Sequence, residues 1–135
     1  MSPEQAWQAT LRNEYAAVYG YGIVGGRLGP EVAAAQRALA AHQERRDHCI
    51  ERLLALGAEP EPAAAGYDPA TPVRTDAQAR ALAVDIERTC SAGYLDLVAQ
   101  LDARTRRAGT GWLQDSAIQQ TLWSGRPPAL PGFAL

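Results

Sequence analysis

The chain has no lysine, and among its 135 residues there are only two cysteines, one methionine and one phenylalanine. Thirteen arginines carry all of its side-chain positive charge apart from histidine, so every permanent cation is a planar guanidinium fork. No long apolar run is present. The most apolar stretch, Tyr15 to Val24, falls far short of the roughly 18 residues a membrane span requires. A formal net charge of −2 gives no basis for binding nucleic acid or an anionic membrane. Two cysteines could form at most one disulfide. Cys49 and Cys90 both fall in predicted helices and are expected to be buried reduced thiols, which points to the cytoplasm. The polar N-terminus reads as a helix start and not as a secretory signal. Phosphate-loop, zinc-ligand and nucleophile-elbow spacings are missing, and two histidines, His42 and His48, do not support a hydrolytic triad.

What is present is helix. The chain is alanine-rich, with 27 alanines, a count that also fits a GC-rich coding bias. Ser2, Pro3 and Glu4 form a helix start, and Trp7, Leu11, Val18 and Tyr21 recur on one stripe, with Glu14 among them. A second helix begins near Pro30 and stops at Gly57. A third begins at Thr75 or Asp76, with Leu82, Ile86, Cys90, Gly93, Leu97 and Leu101 on one stripe and Ala83, Glu87, Tyr94 and Val98 beside it. The fourth carries Ala108, Trp112, Asp115, Ile118 and Leu122. The expected helices are therefore 3–27, 31–56, 76–103 and 105–123, with a tail over 124–135 that packs as an extended strap through Leu130 and Phe133. The proline-rich stretch from Ala58 to Arg74 cannot be a regular element and reads as a long semi-stiff connection between helices two and three. The fold class is all-α: a four-helix bundle forming a single domain over residues 1–135. Gly20 and Gly22, inside the first helix, suggest close approach of another backbone, such as a second subunit in a homodimer.

The second helix organises the polar chemistry. Its apolar stripe runs through Ala35, Leu39, Cys49 or Ile50, and Leu53, and His42 and Arg46 fall on the same stripe. A histidine and an arginine facing a core need buried partners, because an unpaired buried charge costs several kcal/mol. The carboxylates placed to meet them are Glu14, Glu87 and Asp115, with Arg45 adjoining. Glu44 and His48, one turn apart, fall on the opposite face and read as a solvated surface pair.

Several of these segments resemble a known family. Glu14–Gly22 (EYAAVYGYG) with Gly26-Arg27-Leu28 resembles the first helix of a ferritin-like family of unknown function from high-GC Gram-positive bacteria. His42, Arg45, Arg46 and Asp47 resemble its second-helix motif, Glu87-Arg88-Thr89 with Tyr94 its third, and Pro131-Gly132-Phe133 its ending. The resemblance implies a ferritin-like bundle, often dimeric, and no established activity.

Dimetal sites in such bundles draw one Glu from each of two helices and a Glu-x-x-His pair from each of the other two. Here Leu39 stands three residues before His42, and Ile118 three after Asp115, so both pairs are missing. The expectation is a non-catalytic structural or interaction module without a cofactor. In it a buried network of Glu14, His42, Arg45, Arg46, Glu87 and Asp115 replaces the metals. Arg46→Ala is then expected to strand Glu14 and Glu87. The alternatives are an iron or manganese oxidase or storage protein using Glu14, His42, Glu87 and Asp115, and a small-molecule binder with the arginine at the floor of its pocket.

Overall fold

The structure, a computed structural model, describes residues 1–69 and 71–133; Ala70 in the connection and the last two residues of the tail lie outside the described residues. It holds four helices: α1 (Pro3–Arg27), α2 (Val32–Ala55), α3 (Asp76–Val98) and α4 (Ala103–Ser124). Local chemistry sets the boundaries. Ser2 caps α1 in a reciprocal box with Gln5, and Thr75 caps α3 in the same way with Gln78. Asp102 caps α4 by accepting from the Arg104 amide. Gly57, with φ of 75°, and Gly125, with φ of 77°, turn the chain out of α2 and α4 in the left-handed conformation.

α1 packs against α2 and α3, and α3 packs against α4. α2 and α4 approach each other less closely. The core is built from Trp7, Leu11, Tyr21, Val24, Leu53, Tyr94 and Leu97, all essentially out of water, with Trp123 nearly so. Among the described residues, no helix is long and apolar enough to cross a membrane.

The long connection between α2 and α3 lies along α1. The Gln8 side chain donates to the Glu59 carbonyl at 2.8 Å and accepts from the Glu61 amide at 3.0 Å. Arg12 pairs with Glu61 at 2.8 Å, and the Tyr67 ring rests against Tyr19. Extended chain leaves backbone groups without ladder partners, and the side chains of α1 supply them here.

Several expectations need correction. α3 ends at Val98 and not near 103, which leaves Leu101 93% exposed. α4 starts two residues early, at Ala103, and does not bury the stripe its hydrophobicity suggests. Ile118 and Leu122 face water, whereas Thr105, Gly109, Ser116, Gln120 and Trp123 face the core. Leu130 and Phe133 in the tail are more than half exposed. Gly20 has a reason within the chain itself: a Cβ built on it would lie 2.5 Å from Ile86 Cδ1, so its missing side chain admits Ile86 of α3. Gly22 has no such neighbour.

Candidate functional site

Three polar side chains from three helices converge inside the bundle. Glu14 of α1, His42 of α2 and Glu87 of α3 are each no more than 1% exposed. His42 bridges the carboxylates, with Nδ1 2.6 Å from Glu14 Oε2 and Nε2 2.9 Å from Glu87 Oε1. Two acceptors facing two ring nitrogens require two protons, and a neutral imidazole carries one. Burial by itself would lower the His42 pKa, but contacts with Cys90, Glu14 and Glu87 prevail and raise it well above the usual value. The ring is thus an imidazolium donating to both sides.

The other carboxylate oxygens are also occupied. The Tyr94 hydroxyl donates to Glu14 Oε1, and Tyr21 donates to Glu87 Oε1 at 2.6 Å. Ser116 donates to Glu87 Oε2 at 2.7 Å and accepts from Ser91 at 2.9 Å. The Gln120 amide then donates to Ser91. Burial pushes the Glu87 pKa up, yet its bonds from His42, Tyr21 and Ser116 hold it below the normal range. Burial also drives both tyrosine pKa values upward, which fixes each hydroxyl as a donor.

Arg45, not Arg46, is the guanidinium of this network. Its side chain is 9% exposed; Nη1 donates to the Tyr94 hydroxyl at 3.1 Å and Nη2 to Asp115 Oδ2 at 3.2 Å. The guanidinium also lies 5.4 Å from the Tyr94 ring centre and 5.9 Å from that of Trp112. Formally, two carboxylates, one imidazolium and one guanidinium cancel, and this balance is what lets four ionised groups remain out of water. Arg46 points elsewhere. It pairs with its neighbour Asp47 at 2.9 Å, and its side chain is 28% exposed. Asp115 belongs to the rim, being 62% exposed and touching the network only through Arg45.

Sequence reasoning placed Tyr21, Tyr94 and Cys90 on apolar stripes and not in the polar network, and it did not single out Ser116. A heptad signal was available for the tyrosines: Tyr21 follows Glu14, and Tyr94 follows Glu87, by seven residues, which puts each pair on one helix face. His48 is also misread by sequence. It is half-buried between Trp7 and Trp112, at 5.7 Å and 5.4 Å between ring centres, and is not a fully solvated side chain.

One donor set has the spacing for a metal. Among the described residues, Glu14, His42 and Cys90 present ligand atoms within 4.8 Å of one another. Against that, each described carboxylate oxygen at the centre already accepts a hydrogen bond, and the thiol of Cys90, pushed up to about 12 by burial, is aimed at the Asn13 carbonyl. Metal ligands must be deprotonated, so a divalent ion would have to expel the His42 and Cys90 protons. The six-ligand dimetal pattern does not fit, because Asp115 lies outside and a guanidinium stands nearby.

A family model described as a domain of unknown function (DUF4439) matches residues 6–135. The chain is also similar to a conserved hypothetical protein from Mycobacterium tuberculosis whose crystal structure is known. The two are 33% identical, with a TM-score of 0.86, over 90% of this chain and 93% of the other. No curated protein matches the chain.

Proposed function

The chain belongs to the DUF4439 family of domains of unknown function, and we propose that it is a non-catalytic structural or interaction module. In this reading the bundle is ferritin-like, and the place of a dimetal site is taken by an imidazolium clamped between two glutamates. The observation that carries the reading is the position of His42: both ring nitrogens are taken by fully buried carboxylates. A catalytic base or ligand needs a free lone pair, and His42 offers none. The buried thiols of Cys49 and Cys90 agree with a reducing, cytoplasmic location.

An interaction role, including a homodimer, draws support from α4. Ile118 and Leu122, one turn apart, leave apolar surface uncovered on its outer face. Light scattering on the purified protein tests this part, and a monomer at all concentrations contradicts it.

A second reading uses the same residues, with one divalent ion held by Glu14, His42 and Cys90, whose donor atoms are close enough to share it. Elemental analysis of protein expressed with iron, manganese or zinc supplied separates the two. The proposed module carries far less than about one equivalent of any metal, whereas a stoichiometric ion that survives desalting establishes the second reading.

A further inference from the structure

The seam between α2 and α4 is a groove of about 420 Å³ lined by Glu44, Arg45, His48, Trp112 and Asp115, with Ala41 and Ala108 at its sides. That volume lies within the range of small-molecule sites. The groove lies outside the Glu14–His42–Glu87 centre but opens onto Arg45, the residue that joins that centre to the surface. The Arg45 guanidinium is nine-tenths buried, is held against the Tyr94 and Trp112 rings, and faces the groove through a single bond to the exposed Asp115. Such a bond is readily exchanged, since a surface carboxylate gains little from one pairing at 3.2 Å.

The charges lining the groove select the occupant. Arg45 is positive, Glu44 and Asp115 are negative, and burial lowers the pKa of His48, so it is neutral. A simple anion would meet two carboxylates, and a simple cation would meet the guanidinium. A molecule carrying both charges meets each with its opposite. Trp112 adds a flat apolar wall.

We propose that this groove binds a small zwitterion of the α-amino-acid type: its carboxylate takes Asp115's place on Arg45, its ammonium pairs with the released Asp115 and with Glu44, and its apolar body lies on Trp112. The groove uses Arg45 but neither the buried glutamates nor His42 as ligands, so metal content measured on the same sample reports separately on the reading above.

The test titrates L-phenylalanine, phenylacetate and phenethylamine into the full chain at neutral pH and follows the Trp112 indole N–H by NMR. L-Phenylalanine is expected to shift that resonance with the highest affinity. Each compound lacking one charge should bind at least about tenfold more weakly, the loss expected for one charge-assisted hydrogen bond. Asp115→Asn, at an exposed position, frees Arg45 and removes one of the two carboxylates that meet the ammonium. It should weaken L-phenylalanine and strengthen phenylacetate, narrowing or inverting their order. The proposal is overturned if L-phenylalanine leaves the Trp112 resonance unmoved near its solubility limit. It is equally overturned if the three compounds bind alike, or if Asp115→Asn leaves their ratio unchanged.

Discussion

His42 Nδ1 lies 2.6 Å from Glu14 Oε2, with both side chains entirely removed from water. At that separation and burial, the proton between them is part of the fold. The same ring reaches Glu87 on its other side, so one histidine of α2 ties α1 to α3.

The network predicts opposite fates for two adjacent arginines. Arg45→Ala leaves buried charge uncompensated and strands the Tyr94 hydroxyl, a loss of about 3 kcal/mol or more. Arg46→Ala removes a partly exposed pair with Asp47 and should cost less than about 1 kcal/mol. Urea unfolding of both variants checks this. Equal losses would place Arg46 in the network, as the periodicity of α2 first suggested.

That exchange of Arg45 for Arg46 shows where sequence stops being informative. The buried positions of α2 are Ala35, Ala38, His42, Arg45, Cys49 and Leu53, a seam of three- and four-residue steps. Leu39 and Arg46 fit nearly the same spacing, and the pattern alone cannot separate neighbours 100° apart on a helix. α1 and α3 were readable because Trp7, Leu11, Tyr21, Ile86, Tyr94 and Leu97 are large and regularly spaced. α4 was not. It packs through Gly109 and Ser116, with Thr105 and Gln120, because α3 approaches closely and supplies hydrogen-bond partners. Hydrophobicity therefore pointed to Ile118 and Leu122, which face outward. Glu14, His42 and Glu87 were legible as apolar-stripe positions occupied by ionisable groups. The tyrosines that complete their bonding look like ordinary core until the carboxylates are placed.

Stability should depend on pH in two directions. The folded pKa of His42 is raised, so its contribution is complete below the unfolded value near 6.5 and is lost as pH rises through the folded value. The folded pKa of Glu87 is lowered, so its contribution is present above the unfolded value near 4.5 and is lost as pH falls through the folded value. Thermal unfolding should therefore show a maximum in the mildly acidic range and a decline toward alkaline pH. His42→Gln should flatten that alkaline decline while lowering stability overall; an unchanged alkaline slope would remove His42 as its source.

Two glycines of α4 should respond oppositely to alanine. A Cβ on Gly109 would lie 2.7 Å from the Tyr94 carbonyl oxygen and 2.9 Å from the Val98 amide, both backbone atoms that cannot rotate away. Gly109→Ala should force α3 and α4 apart at a cost of about 1–3 kcal/mol. Gly111 has no neighbour within 4 Å of that position, and Gly111→Ala should stabilise the helix by up to about 1 kcal/mol. Paired melting curves decide it, and loss of stability in both variants would contradict the α3–α4 packing described.

Tyr94→Phe removes the hydroxyl that joins Arg45 to Glu14 while keeping the ring against Trp112. The expected loss is about 1–3 kcal/mol, the cost of leaving buried partners unsatisfied. A neutral result in chemical denaturation would mean that Arg45 and Glu14 do not communicate through this residue.

The chain has only two histidines, so ¹⁵N spectra of histidine-labelled protein report His42 and His48 without crowding. At neutral pH one ring, His42, should have both nitrogens protonated and be unaffected by a chelator, beside a neutral His48. A His42 ring with one nitrogen unprotonated and metal-shifted, reverting when the ion is chelated, would contradict it.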